Sequence, residues 1–384
     1  MQRKPLSAIT AAHISVDMQT GSLAILLPFL LASFDLNYAA AAAIITANNV
    51  IIAITQPLFG ILGDRRSFKW MVWVGCLLTG LMMVTVLWLP SYWMVVGAVL
   101  LSGLGSAMFH PEALARVRAV SGARAASATS LFFSGGNIGF ALGPIAATLL
   151  IERLGRAGGL LMLIPTAIGL FLLWSQWKAI AQDGVKKARA TGKAAQVAYG
   201  LVAFLILLIT IRATVMGGLQ TFIPLYFHEL NYSKEAAAFL VTLAAISGAV
   251  GTLTGGVLAD RYGRKVTMGL SALVALGLLY GFLHSSGVLQ MVFIAAAGIF
   301  TSMAWPIIVV MIQEAMPNNV GLASGLSLGT SYGATGLGVA ALGGFADAQG
   351  LAAAMTLITL LPAATVVMTF FVPERVRPDS RLER

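Results

Sequence analysis

The stretch Gly256-Val-Leu-Ala-Asp260-Arg261-Tyr-Gly263-Arg264-Lys265 decides how this chain is organised, because the chain carries it twice. The earlier copy, Gly60-Ile-Leu-Gly-Asp64-Arg65-Arg66-Ser-Phe-Lys69, keeps the Gly, the Asp and the first Arg and departs at Ser67 and Phe68. Gly60 and Asp64 recur as Gly256 and Asp260, and Pro28 recurs as Pro224, each 196 positions later. One Pro or Gly in register would mean little. A polar loop motif repeated together with it divides the chain into two related halves.

Both copies interrupt long apolar runs. Of 384 residues 58% are hydrophobic and 10% are charged, whereas soluble domains run at about 45–50% apolar and about 25% charged. Lipid is therefore the solvent for most of this surface. In hydrocarbon every backbone polar group must be satisfied internally, which leaves helices or closed barrels. Barrel strands would alternate polar and apolar residues over about ten positions, but runs such as Met71–Leu89 and Tyr199–Ile211 are continuously apolar. The expectation is an all-α membrane protein with twelve spans, beginning near residues 7, 38, 70, 91, 126, 157, 199, 235, 266, 288, 321 and 350. Repeated halves are how many secondary transporters are built, with the solute site at mid-membrane between them. The halves read as two pseudo-symmetric six-helix bundles, residues 1–178 and 197–384, the second ending in a short cytoplasmic tail. Between them the basic polar stretch 179–196 reads as a cytoplasmic tether.

The net charge of +10 does not imply a nucleic-acid partner, because the cations sit in short loops between spans. If the N-terminus is cytoplasmic, 20 of the 24 Lys and Arg lie inside; Arg153, Arg156 and Lys234 fall outside and Arg212 within a span. Both termini are then cytoplasmic. The first apolar run, Leu6–Leu31, is too long for a cleaved leader and reads as a retained span. Cys76, the single cysteine, rules out a disulfide framework. No cofactor or metal is called for, no long soluble loop offers an enzyme domain, and a monomer suffices.

An ionisable side chain at the bilayer centre costs about 2.5–3.5 kcal/mol on insertion scales, so few should be there without a task. Setting loop charges aside leaves His13 and Asp17 in span 1, His110 and Glu112 in span 4, and Arg212 in span 7. His13 and Asp17 are four apart and share a helix face. Asp17 and Glu112 fall at similar depths in the cytoplasmic half, and a carboxyl whose surroundings change can load and release a proton. His110 and Glu112 flank Pro111 and on a regular helix face different ways. Glu112 is also four residues from Arg116, which makes an ion pair near the helix end the structural alternative. Arg212 keeps its charge and either attracts an anionic solute or neutralises the carboxylates. Phe29, Met108, Phe109, Phe132, Phe133 and Trp305 are candidates to line the solute cavity, although such residues more often simply pack helices.

In the loop motif a Gly allows close helix approach, and an Asp at a helix end can pair with Arg or with the positive N-terminus of a neighbouring helix. Gly60, Asp64, Arg65, Gly256, Asp260, Arg261 and Arg264 are therefore expected to gate the cytoplasmic face. Span 5 carries Gly135-Gly136-Asn137-Ile-Gly139-Phe-Ala-Leu-Gly143-Pro144, in which small residues at four-residue spacing make a packing face. Gly139, Gly143 and Pro144 join the gating candidates.

The loop motif resembles the signature that the major facilitator superfamily carries between helices 2 and 3 and between helices 8 and 9. In that superfamily helices 1, 4, 7 and 10 line the central cavity, where the five intramembrane groups would fall. The span-5 stretch is similar to the helix-5 motif of its drug/proton antiporters, with Ala146 and Ala147 in place of trailing glycines. Together His13-Ile-Ser-Val-Asp17-Met, Gly105-Ser-Ala-Met-Phe109-His110-Pro111-Glu112-Ala113 and Gly135-Gly-Asn-Ile-Gly139 resemble the fosmidomycin-resistance family of bacterial exporters, and the likeness runs through most of the chain. It implies alternating-access export of small drugs against protons, with Asp17, Glu112, His13 and His110 in coupling and no substrate carried over. Two other readings stay open. One is a proton-coupled uptake symporter for an anionic metabolite bound at Arg212; the other is a divalent-metal exporter using His13, Asp17, His110 and Glu112.

Overall fold

The computed structural model describes residues 1–35, 38–66, 68–181 and 197–373. The described chain is a succession of helices. They are α1 (Arg3–Phe34), α2 (Tyr38–Arg66), α3 (Met71–Thr85), α4 (Tyr92–Ser121), α5 (Ala125–Leu154), α6 (Arg156–Leu161), α7 (Leu163–Ser175), α8 (Trp177–Ile180), α9 (Tyr199–Glu229) and α10 (Lys234–Tyr262). Then follow α11 (Arg264–Leu283), α12 (Gly287–Ser302), α13 (Ala304–Ala315), α14 (Val320–Gln349), α15 (Leu351–Leu360) and α16 (Pro362–Thr369). No strand occurs among the described residues. The helices begin close to the expected span starts, and the widest gap is at the first, expected near 7 and observed at Arg3. The expected tether lies almost wholly outside the described residues, as do Ser67 and the tail beyond 373.

Among the described residues, ten stretches are long and apolar enough to cross a membrane. α1 and α14, at the first and eleventh expected positions, are 32 and 30 residues long but are not among the ten. Gly, Ser and Thr lower the hydropathy of α14, whereas in α1 several side chains of the apolar second half lie outside those described. The sixth, tenth and twelfth expected spans are each divided, at Met162, Met303 and Leu361. In the last, Pro362 stands at the first turn of α16, where its missing N–H is no loss.

The Gly of the second loop motif has a local reason. Gly263 takes φ +96°, which ends α10 and starts α11, and its N–H donates to the Ala259 carbonyl at 3.1 Å. That backbone region favours glycine.

The chain divides into two compact units. One comprises Met1–Arg124, Leu131–Ala194 and Asn318–Gly329; the other comprises Ala125–Ser130, Ala195–Pro317 and Thr330–Arg384. The first is cored by residues such as Leu23, Leu30, Ile44, Met83 and Val99, the second by Phe222, Phe227, Phe282, Ile294 and Met355. Large apolar side chains are also exposed in quantity, among them Trp93, Ile145, Phe171, Leu270 and Leu337. Such surfaces suit a lipid solvent.

Since lipid tails are as apolar as the helices, helix pairs are held by close packing of small residues. α10 and α12 show this plainly. A Cβ on Gly251 would run into the Ile299 carbonyl, one on Gly255 into Met303 backbone, and one on Gly298 into the Ala244 carbonyl. Overpacking of this kind costs about 1–3 kcal/mol. Gly251→Leu is accordingly expected to lower the thermal unfolding midpoint in detergent. Gly277→Leu, where no atom lies within 4 Å of the added Cβ, should leave it within error of the parent.

Candidate functional site

In the first unit the chain brings His13 and Asp17 of α1 together with His110 of α4. His13 Nε2 lies 3.0 Å from Asp17 Oδ2, His110 Nε2 lies 3.2 Å from Asp17 Oδ1, and the two Nε2 atoms are 3.1 Å apart. The four-residue spacing places His13 over Asp17 on one face of α1, and packing of α1 on α4 supplies the third member.

The far nitrogen of each ring is committed. His13 Nδ1 lies 2.7 Å from the Phe132 carbonyl and His110 Nδ1 lies 2.7 Å from the Ser106 carbonyl. A carbonyl can only accept, so both Nδ1 atoms donate. Neutral imidazoles so held turn bare Nε2 lone pairs towards each other and towards a carboxylate. Three acceptors then converge, and a proton between them resolves the conflict by making one Nε2 a donor. Both imidazoles are almost fully buried, at 2% and 3% exposed, while the Asp17 side chain is 19% exposed and is the member open to its surroundings. Phe132 stacks on His13 with ring centroids 3.9 Å apart, and Phe109 stands 6.0 Å away on another side.

The cluster depends on the glycines of α5. A Cβ on Gly139 would strike the Ile14 carbonyl, and one on Gly143 the Met18 carbonyl, so α1 and α5 meet at backbone distance. A Cβ on Gly136 would lie 2.5 Å from Asp17 Oδ2 and 2.6 Å from His13 Nε2. Gly136 was quoted in the sequence without a role; its place beside the cluster follows from the meeting of two helices, which spacing within α5 does not reveal. The Ser106 and Phe132 carbonyls carried no sequence signal, since any residue type supplies one.

Glu112 is not part of this cluster. Arg116 Nε donates to its Oε1 at 2.7 Å and Nη2 donates to the same oxygen, and both side chains are buried. This is the ion pair that the four-residue spacing allowed. Glu112 faces the end of α2, where a Cβ on Gly63 would come 2.7 Å from its Oε2, whereas His110 faces α1.

Both loop-motif aspartates receive the first turn of a helix. Asp64 accepts from the N–H groups of Gly321 and Leu322, each at 2.8 Å, at the start of α14. Asp260 accepts from Ser127 N–H at 2.9 Å and from its hydroxyl at 2.6 Å, at the start of α5. Gly60 and Gly256 permit these approaches, since a Cβ on either would meet the Gly321 or the Ala126 carbonyl. Arg264 pairs with Glu314, one limb at 2.8 Å. Arg261 lies over its neighbour Tyr262, 5.1 Å from the ring centroid. Arg65 is exposed, and Pro144 sits inside α5.

The remaining candidates fall in both units. Arg212 is in the second unit, its guanidinium carbon 4.9 Å from the centroid of Trp305. Phe29 carries Arg156 over its ring at 5.2 Å. Phe109 and Phe132 are fully buried around His13, and Met108, Phe133 and Trp305 are nearly so.

Removing one partner of a buried ion pair leaves an uncompensated charge and costs about 3–5 kcal/mol, whereas replacing both by apolar groups is often neutral. Arg116→Leu is therefore expected to destabilise strongly and Glu112→Leu/Arg116→Leu much less. Thermal unfolding of the two singles and the double measures the coupling.

The Major Facilitator Superfamily family model matches residues 9–229 and 203–384. The chain is 28% identical over 390 residues to the fosmidomycin resistance protein of Escherichia coli (strain K12), covering 97% of this chain and 94% of that one. It is likewise 28% identical over 381 residues to the uncharacterized MFS-type transporter YfnC of Bacillus subtilis (strain 168), covering 96% and 92%. In fold it is similar to the Escherichia coli fucose:proton symporter FucP, with TM-score 0.73, 14% identity, and 96% of this chain and 98% of that chain covered.

Proposed function

The chain belongs to the Major Facilitator Superfamily and is a multi-pass membrane transporter, and on that footing we propose that it exports small drug-like molecules from the cytoplasm in exchange for protons. The observation that carries the proposal is the convergence of His13, His110 and Asp17 in one buried cluster. Three acceptors at about hydrogen-bond distance hold a proton well, and a change at Asp17, the open member, releases it. Near-full-length similarity to a fosmidomycin resistance protein supports efflux, and with it a part in antibiotic resistance, over uptake.

In this reading the protein sits in the bacterial inner membrane as a monomer with both termini in the cytoplasm. Its six-helix bundles are joined through the cytoplasmic linker. Asp17, His13 and His110 carry the exchange. Glu112 serves as a second coupling carboxylate when Arg116 releases it. The carboxylate-to-helix contacts of Asp64 and Asp260, with Arg264–Glu314 beside the second, act as latches that alternate access must break. A helix N-terminus welcomes a carboxylate, and each such contact is worth about 0.3–1 kcal/mol, weak enough to exchange during a transport cycle. The metal-exporter reading keeps three donor groups, since His13, Asp17 and His110 offer ligand atoms within 4.8 Å of one another, and it loses Glu112.

The test is proton movement in sealed proteoliposomes on adding fosmidomycin and a panel of drugs and anions. Wild type is expected to move solute outward against an opposing proton flux. Asp17→Asn should abolish that coupling with the folded state intact by thermal unfolding, and Glu112→Gln, read on the folded fraction because it opens the Glu112–Arg116 pair, should weaken it less. Solute and proton moving together would replace antiport with symport. Zn²⁺-dependent stabilisation lost in His13→Ala would promote the metal reading.

A further inference from the structure

Arg212 lies within the apolar helix α9, between Leu208 and Val215 on the same face. Among the described residues it makes no ion pair, and its buried Nε finds no hydrogen-bond acceptor. Its one close charge-compensating neighbour is the face of Trp305, 4.9 Å from the guanidinium carbon. A ring face eases the burial of a cation without cancelling its charge.

The guanidinium borders a cavity of ≈ 30 Å³ lined with Leu208, Val215, Ser271, Ala275, Thr301 and Ile308. Arg212 is the one charged side chain in that lining. Ser271 and Thr301 give their hydroxyl protons to the carbonyls of Met268 and Ala297, at 3.0 and 2.7 Å. The cavity therefore has one fixed cation in a wall otherwise made of apolar and hydroxyl-bearing side chains. About 10–15 Å³ admits one water, so the space takes roughly two, or the head of one small oxyanion. Guanidinium is shaped for this, with a planar fork of donors that matches carboxylate and phosphate.

We propose that Arg212 is the point at which the transported solute is recognised by an anionic group, a carboxylate or a phosphate-like oxyanion, so that the substrate class is small organic anions with an apolar body. The inference rests on the transporter reading and names the substrate class for it. Trp305 acts here as a positioning residue, holding the guanidinium towards the cavity.

The experiment is calorimetric binding to the purified full chain in nanodiscs, with benzoate and acetate as probes and benzamide and sodium chloride as controls. Wild type is expected to bind benzoate at least tenfold more tightly than isosteric benzamide. Arg212→Gln should remove that discrimination, and Arg212→Lys, which keeps charge without the fork, should keep part of it. Trp305→Leu should weaken benzoate binding without abolishing the preference for the anion, which provides a second readout if Arg212→Gln does not fold. Discrimination that survives in Arg212→Gln overturns the proposal. So does chloride binding that benzoate does not displace, which would make the cavity a structural halide site, and so does occupancy by water alone with no anion bound. Drug-driven proton flux in the same preparation without any anion binding would overturn this inference and leave the export reading standing.

Discussion

Inside hydrocarbon a polar group holds its place when another group of the protein answers it. The intramembrane ionisable residues of this chain follow that constraint in three different ways. Asp17 is answered by two imidazoles, which are themselves anchored to carbonyls. Glu112 is answered by Arg116 one turn along its own helix. Arg212 has an aromatic face and a cavity. Two imidazoles on a carboxylate, a closed ion pair and a cation on an aromatic face are three answers to the same requirement, given by residues that look alike as letters.

The answers depend on how closely helices approach. Glycines remove the Cβ that would otherwise separate α1 from α5, and Gly136 in particular vacates the space that His13 and Asp17 occupy. Packing and chemistry are therefore one problem at this site. The α1–α5 seam leaves room for His13 and Asp17, and the meeting of α1 with α4 brings His110 to 3.1–3.2 Å from them.

The two loop motifs show a symmetry that is chemical before it is geometric. Asp64 and Asp260 each take the N–H groups of a helix start, a partner that exists whatever side chains the neighbouring helix carries. The Arg264–Glu314 pair belongs to the second copy only. At the same 196-residue offset the first half has Phe68 and Arg118, so both partners of that pair are replaced together. The departure at Phe68 thus goes with a difference in a distant helix.

Composition and the length of the apolar runs determined a polytopic helical protein without reference to contacts, because the bilayer demands about twenty apolar residues per span and internal backbone pairing. The repeat gave the expectation of two related halves, and the i to i+4 spacing determined that His13 meets Asp17 and that Glu112 can reach Arg116, because helical periodicity is local. The tertiary structure decided the rest. It chose Arg116 for Glu112 and His110 for Asp17, and it gave Gly136 its role. It also set Arg212 beside Trp305. Apart from the Glu112–Arg116 pair, which lies on one helix, each of these choices depends on the angle and distance at which two helices meet, and that is the sum of many small side-chain contacts that no single stretch of sequence contains.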